Sequence, residues 1–362
     1  MDISLLINSF SEITQNAGFS PRSRTGLVSN FFPTEFNLSA GHQYVIPALT
    51  AKHLVDSQDI SIKELCFRRV DLTRVGYSLS HLLLFEMGVF GSFGGTGEDI
   101  DRQVKLLILM KKWLSSIGIP SDSLIFSISG GALIQGVEYL PDDISLRSLM
   151  SIGVVESNIF QTRGRRNFLF SQGQNRPAGY SIEVFVRNKN GIVEIASLNK
   201  YFLIFSNGKL HPSVNKAYGI GFGFERICYI MEGVGSIFEI PLFQSLISPL
   251  SNRINNNIEF SQAKPRIYLI VELVRSLFFT LADGQTIDNS PRGRIQKHML
   301  RTLMAEINYM DLEPLTIINE ISNLVIDNYA ERYPHIANAN INIERIISET
   351  MFSDHNKMNY ET

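Results

Sequence analysis

Apolar side chains at Ile3, Leu6, Ile7, Phe10 and Ile13 recur close to every 3.6 residues, which predicts a helix over 3–15 with one buried face. Pro21 and its polar neighbours end it. Residues 35–47 read as strand and turn, with Ala40-Gly41 at the centre and Pro47 closing the strand. Ile62–Phe67 opens a second extended stretch; after the loop 70–76 the apolar run Leu82–Met87 follows. That pattern predicts an antiparallel hairpin with a buried second arm. Residues 88–97 carry five glycines, and Phe90 and Phe93 break what otherwise reads as a linker. Ile100, Val104, Leu107, Ile108, Met110, Trp113 and Leu114 predict an amphipathic helix.

A strand is expected at Leu124–Ser129, then a mostly polar stretch over 140–180 with a basic cluster at Arg163, Arg165 and Arg166. Tyr180–Val186 and Ile192–Ala196 read as strands around an Asn190-Gly191 hairpin turn, and Tyr201–Phe205 as a further strand before Asn207-Gly208. From about residue 262 the period becomes helical, at Leu269, Val271, Leu273, Val274, Leu277 and Phe278, then over 315–329 and 341–351. The pattern predicts an α+β domain over 1–250 built on an antiparallel sheet, a linker at Asn252–Asn257, and an all-helical domain over 258–362.

Composition adds bounds. The 362 residues are 44% hydrophobic and 19% charged, as in ordinary globular proteins, with a net charge of −2. Any nucleic-acid partner must therefore meet a local basic patch. The cysteines, Cys66 and Cys228, lie far apart, without metal-site spacing. Apolar runs such as Ile267–Val271 are too short to cross a membrane, and Met1-Asp-Ile-Ser lacks a basic signal region. A cytoplasmic location is the expectation.

The most informative stretch is Gly219-Ile-Gly-Phe-Gly-Phe-Glu-Arg-Ile227. Alternate glycines allow close approach of a ligand or another segment, and Arg226 falls on the first turn of the following helix. A planar, permanently charged guanidinium there suits a phosphate. A strand ending in a glycine turn, with Glu225 and Arg226 as solvated charges, is the plainer reading.

Cys66-Phe-Arg68, Asp71–Tyr77, His81 and Phe85-Glu-Met87 resemble the second signature motif of the alanyl-tRNA synthetase family, and Gly221-Phe-Gly-Phe-Glu-Arg-Ile227 resembles its third. Glu194-Ile195 and Pro212-Ser-Val214 resemble runs between those motifs. Arg275-Ser276, Ala282-Asp-Gly284, Asn289, Arg292-Gly293 and Tyr333-Pro334 resemble the family's tRNA-reading helical domain. The similarity runs, with gaps, along nearly the whole chain.

The resemblance implies a class II synthetase fold, an antiparallel sheet flanked by helices, that uses ATP and Mg2+ to adenylate an amino acid and passes the acyl group to tRNA. Arg68 would hold the α-phosphate and the carboxylate, and Arg226 the γ-phosphate. Phe85 would stack on adenine, and Glu194 would hold the magnesium ion or hydrogen-bond the nucleotide; Gly221 and Gly223 would line the ATP site. Taken from the residues alone, Phe85 reads first as core packing, and Glu194 reads equally as a surface carboxylate. The acyl-substrate pocket would include Phe170, Ser197, Asn215 and Gly219.

Departures fall on that pocket. Where the family has an aspartate for the amino group, this chain has Gly219, or Asn215 in the other alignment, and the Glu-Ile-Trp-Asn run is Glu194-Ile-Ala-Ser197. No cysteine-rich run is present at 176–180, and a chain without the family's editing domain and C-terminal extension is the expectation. A truncated paralogue is therefore expected. From Lys264 to Arg301 seven Lys/Arg face three acids, a local positive face on which Asn289, Arg292, Arg294, Lys297 and Arg301 would contact a tRNA acceptor stem. Three readings follow: an alanine-type ligase charging tRNA; a ligase loading a small amino or carboxylic acid onto a carrier protein or small amine; and a non-catalytic RNA-binding protein.

Overall fold

The computed structural model describes all residues except Met1, 32–33, 97–98, 171–173, 190, 254–258, 340, 342–345 and 348–362. The first apolar stripe forms α1 (Ile3–Asn16), whose N-cap Asp2 accepts from the Ser4 amide at 2.8 Å and whose face buries Leu6, Ile7 and Phe10. β1 (Ser20–Arg22) and α2 (His42–Thr50) precede β2 (Gln58–Phe67) and β3 (Leu84–Phe93). α3 (Asp99–Ser116) leads to β4 (Leu124–Ser129) and the small hairpin β5 (Ala132–Ile134) and β6 (Val137–Tyr139). Then come α4 (Asp143–Ser151), β7 (Ile159–Thr162) and β8 (Phe168–Leu169). The long strands β9 (Arg176–Asn188), β10 (Gly191–Ser206) and β11 (Lys209–Gly223) run into α5 (Phe224–Glu232). Helices α6 (Pro241–Ser251), α7 (Phe260–Ala282), α8 (Pro291–Tyr309) and α9 (Pro314–Tyr329) follow.

The main sheet has the order β1-β2-β3-β11-β10-β9-β4-β7, with β8 against β9. β3, β11, β10, β9 and β4 pair antiparallel in succession, while β1–β2 and β4–β7 are parallel. The class is α+β, as expected, with a mixed sheet rather than a purely antiparallel one. The residues pack as two compact units: Met1–Arg24, Ser39–Glu64 and Glu86–Gly233 form the first, and Thr25–Leu38, Leu65–Phe85 and Val234–Thr362 the second. In the first unit, Phe10, Trp113, Phe222 and Phe224 meet edge-on or tilted, with centroids 4.6–6.5 Å apart. They join α1, α3 and the β11–α5 junction on one face of the sheet. In the second, α7, α8 and α9 share an aromatic and aliphatic core that includes Phe279 and Tyr329, edge-on at 5.2 Å.

Several expectations change. Residues 42–50 form a helix, not a strand closed by Pro47: Val45, Ile46 and Leu49 bury one face, and the helix carries Pro47 inside it. Proline there removes one backbone hydrogen bond and crowds the carbonyl four residues back, a cost that the buried face of the helix offsets. The glycines at 88 and 91 lie inside β3, where a Cβ on Gly91 would stand 2.2 Å from the Tyr218 carbonyl oxygen. Glycine is what lets β3 lie so close to β11. The three short strands expected over 180–205 are two long ones, with register shifts at Glu194/Ala196 and Tyr201/Leu203. The alternate glycines 219, 221 and 223 belong to β11 itself, not to a turn. Asn190, most of the Asn252–Asn257 linker and most of the helix expected over 341–351 lie outside the described residues; 346–347 are helical.

Candidate functional site

In the first unit, alternation along β11 sorts the site from the core. Tyr218, Ile220 and Phe222 are buried; Phe222 meets Phe10 and Trp113, and Arg102 of α3 lies 4.7 Å over Tyr218. Successive side chains alternate faces, so Gly219 and Gly221 look to the opposite side. Register carries this side across the sheet: Gly221 pairs with Ser197 and Ser197 with Glu183, while Gly219 pairs with Asn199 and Asn199 with Ser181. α2 covers one end of that face, its His42 ring 6.3 Å from the Tyr201 ring.

At the other end β11 stops at Gly223, the N-cap of α5, which places Arg226 on the first turn. Its Nη1 donates to the Glu194 carbonyl at 3.1 Å and stands 3.5 Å from the Glu194 carboxylate. The register shift at Glu194/Ala196 gives the strand its extra residue there. The two side chains are 26% and 48% exposed, so the pair contributes no more than about 1 kcal/mol. An incoming phosphate can therefore take the guanidinium at little cost. Behind it, buried Glu225 accepts the Glu86 amide at 2.9 and 3.0 Å with its two oxygens, tying the start of α5 to β3. Glu194 offers an oxygen donor of the kind a magnesium ion uses together with substrate phosphates. It fits that role as a single ligand.

Two expected pocket residues stand elsewhere. Asn215 is fully buried; its Oδ1 accepts the Val55 amide and its Nδ2 donates to the His53 carbonyl, both at 2.9 Å. Both ends of the amide are thus committed to holding the 51–57 segment. Phe170 packs edge-on against Phe205 at 5.2 Å, beside the cluster of Ala132, Ile134, Phe168, Ala178 and Leu203. Six residues of strand separate Phe205 from Asn199, about 20 Å at the usual rise. Ser197 and Gly219 do lie on the shared face. Sequence reasoning passed over Ser181, Glu183 and Asn199, whose signal was polar residues at alternate strand positions in register with the glycines. Lys200, on the opposite face, is buried with Asp142, 3.6 Å from its carboxylate.

In the second unit, the Arg68 guanidinium lies 5.1 Å over the half-buried Phe85 ring, and its Nε donates to the Leu38 carbonyl at 3.4 Å. The Arg68 amide donates to the Leu83 carbonyl at 2.8 Å, which sets the two arms in register. The loop between them rests on α7 at Gly76, where φ is +80° and a Cβ would stand 2.4 Å from the Pro265 carbonyl oxygen. Behind the second arm, Glu272 and Arg275 form a fully buried ion pair at 2.8 Å. Glu272 accepts the Leu83 and Leu84 amides at 2.7 and 2.8 Å, while Arg275 donates to the Leu84 carbonyl and, at 2.8 Å, to the Tyr329 hydroxyl.

The residues expected to face RNA divide. Arg292 donates from Nε to the Glu35 carbonyl at 2.8 Å and from Nη2 to the Ser29 carbonyl, and burial lowers its pKa. It fastens the 25–38 segment and is not presented to a phosphate. Asp283 does the same from the end of α7, accepting the Leu27 amide at 2.6 Å. Arg294 and Lys297 turn back on Asn289, to its carbonyl at 2.6 Å and its Oδ1 at 2.8 Å, while Arg301 is exposed.

Residues 15–353 match the family described as tRNA synthetases class II (A), and the chain belongs to that family. Within it the chain is alanyl-tRNA synthetase-like. The alanine–tRNA ligase of Legionella pneumophila (strain Corby) is 25% identical over 295 residues, covering 77% of this chain and 32% of the ligase. That of Leptospira biflexa is 24% identical over 358 residues, covering 92% and 37%. The chain thus spans about a third of the length of these curated relatives. Among solved structures, apo histidyl-tRNA synthetase from S. aureus aligns with a TM-score of 0.43 and 13% identity, over 70% of this chain and 75% of that one.

Proposed function

We propose that the chain activates a small amino or carboxylic acid as an acyl-adenylate, with residues 1–250 as the adenylation domain and 258–362 as the helical domain. The observation that carries this reading is Arg226, held at the end of the glycine-stripped β11 by the Glu194 carbonyl and weakly paired with its carboxylate. In the reaction a substrate carboxylate oxygen bonds to the α-phosphorus of ATP, and the bond from that phosphorus to the bridging oxygen breaks. Pyrophosphate then leaves. The protein's share is orientation and charge neutralisation.

Arg68 is assigned to the α-phosphate and the attacking carboxylate, Phe85 to the face of the adenine, Arg226 to the γ-phosphate, and Gly221 and Gly223 to close backbone approach. Glu194 would hold Mg2+, which when bound offsets phosphate charge. ATP–pyrophosphate exchange, run with a panel of amino and carboxylic acids, tests the reading. Exchange with at least one acid, abolished in Arg226→Ala, is expected. No exchange with any acid, or full exchange in Arg226→Ala, refutes it.

Transfer to a tRNA 3′ end is the acceptor step the family relationship suggests. A second reading, transfer to a carrier protein or small amine, is favoured by the inward commitment of Arg292 and the self-pairing of Asn289 with Lys297. Charging of total tRNA with the activated acid separates the two. Loss of charging in Arg301→Ala, with exchange retained, supports the tRNA reading.

A further inference from the structure

The basic cluster at 163–166 has no part in the phosphate chemistry, yet the first unit holds it on a firm base. It forms the turn between β7 and β8. At its start the Thr162 carbonyl accepts the Gly130 amide at 2.7 Å, and at its end the Asn167 carbonyl accepts the Ser181 amide at 3.0 Å. The Asn167 side chain is fully buried: its Nδ2 donates to the Ser127 and Ser181 carbonyls at 3.0 and 3.2 Å, and its Oδ1 accepts from the Thr162 hydroxyl at 2.5 Å. Between these anchors Gly164 takes a φ of +78°, which favours glycine, and its amide donates to the Gly131 carbonyl at 3.0 Å.

What this base presents is positive charge. Arg163, Arg165 and Arg166 are exposed, and among the described residues none of them forms an ion pair with a carboxylate. Like charges this close repel, a cost that an anionic partner relieves. The chain carries −2 overall, so attraction for a polyanion is local to such a turn. Aromatic surface lies beside it. The Arg165 guanidinium stands 5.4 Å over the Phe170 ring, and Phe160, on the edge strand β7, is 54% exposed. Phosphates take the guanidiniums and an unstacked base takes the ring, the two contacts a single nucleic-acid strand offers together.

Register links this edge to the candidate site. Phe160 pairs with Ser127, Ser127 with Glu183, Glu183 with Ser197 and Ser197 with Gly221, so the ring ends a row that reaches Gly221 about 19 Å away. On α8, by contrast, Arg292, Arg294 and Lys297 are engaged with the protein's own groups.

We propose that the 163–166 turn and Phe160 dock a single nucleic-acid strand at the β7 edge of the first unit. The proposal goes beyond the adenylate reading and does not rest on it.

The test is fluorescence anisotropy on the full chain in about 150 mM KCl, without ATP or acid. The probes are labelled single strands of about 16 nucleotides, one RNA and one DNA, their duplexes, and a polyglutamate peptide. At least one strand is expected to bind, and more tightly than its duplex. Replacing Arg163, Arg165 and Arg166 together by Gln should weaken that binding tenfold or more and lower the salt slope by about two, at roughly 0.7 per phosphate contact. Phe160→Ser should weaken it about fivefold or more, through lost stacking, and leave the slope unchanged. If the triple variant does not fold, Arg163→Gln with Arg166→Gln keeps Arg165 on Phe170 and should lower the slope by about one. Binding of neither strand, tighter binding of the duplexes or of polyglutamate, or wild-type affinity in the arginine or the Phe160 variant overturns the proposal. Each of those results leaves pyrophosphate exchange, and with it the adenylate reading, to stand or fall separately.

Discussion

Arg275→Met should destabilise the second unit severely, and the size follows from what the guanidinium leaves behind. Both partners of the Glu272–Arg275 pair are fully buried, and the methionine fills most of the volume while removing every donor. Glu272 then keeps only the Leu83 and Leu84 amides, while the Leu84 carbonyl and the Tyr329 hydroxyl lose a partner. Breaking one side of a buried pair costs about 3–5 kcal/mol, a large part of the 5–15 kcal/mol typical of a domain. Urea unfolding followed by far-UV circular dichroism reads the loss as a lowered midpoint. Glu272→Gln added to Arg275→Met keeps an acceptor for both amides and removes the stranded charge, so the double variant should recover much of the loss.

Acidity supplies an independent check. Burial pushes the Glu272 carboxyl up, against the pull of Arg275 and the Leu84 amide. Without Arg275 it moves higher still. A carboxyl raised in the folded state favours folding below its unfolded value, and that advantage is lost as pH rises through the folded value. The Arg275→Met penalty should therefore shrink as pH falls toward the ordinary carboxylate range. A cost under about 1 kcal/mol at neutral pH, or a double variant no more stable than the single one, refutes the reasoning.

Asn215→Ala should cost about 1–3 kcal/mol, since it strands the Val55 amide and the His53 carbonyl, yet leave KM for the acyl substrate unchanged. Thermal unfolding and exchange kinetics check the two halves of that statement, and a raised KM at full stability would return Asn215 to the pocket. The Cys228 thiol is pushed up to about 12 by burial and by Glu225, and Cys66 is fully buried. Ellman's reagent should find no fast thiol in the native protein and both after guanidinium unfolding; a fast native thiol would contradict the packing of α5 or β2.

The α+β class, the long helix over 99–116 and the helical character after residue 262 were legible because long runs of one period speak plainly. The strand pattern failed where the site interrupts it. Ser197, Asn199 and Lys200 broke the apolar alternation of β10, two of them facing the glycines and the third buried against Asp142. The strand therefore read as two. Pro47 misled for a related reason, since a helix buried on one face outweighs one missing hydrogen bond. The place of Arg226 on the first turn of a helix was legible because glycines and a helix start carry local signals, whereas its pairing with Glu194 left none. Asn215 and Arg292 were misread because what they bind, the backbone of segments distant along the chain, leaves no mark beside them.

The anchoring of residues 25–38 by Asp283 and Arg292 also bears on how the chain comes to be folded. The Arg292 bond to Glu35 spans 257 residues of sequence. On a ribosome moving at about 5–20 residues per second, the segment emerges roughly 13–50 s before the residue that fastens it. For that interval a stretch of backbone near the start of the chain waits for its clamp. Nascent chains arrested before residue 283 should accordingly be cut within 25–38 by a trace protease, and chains released in full should resist it.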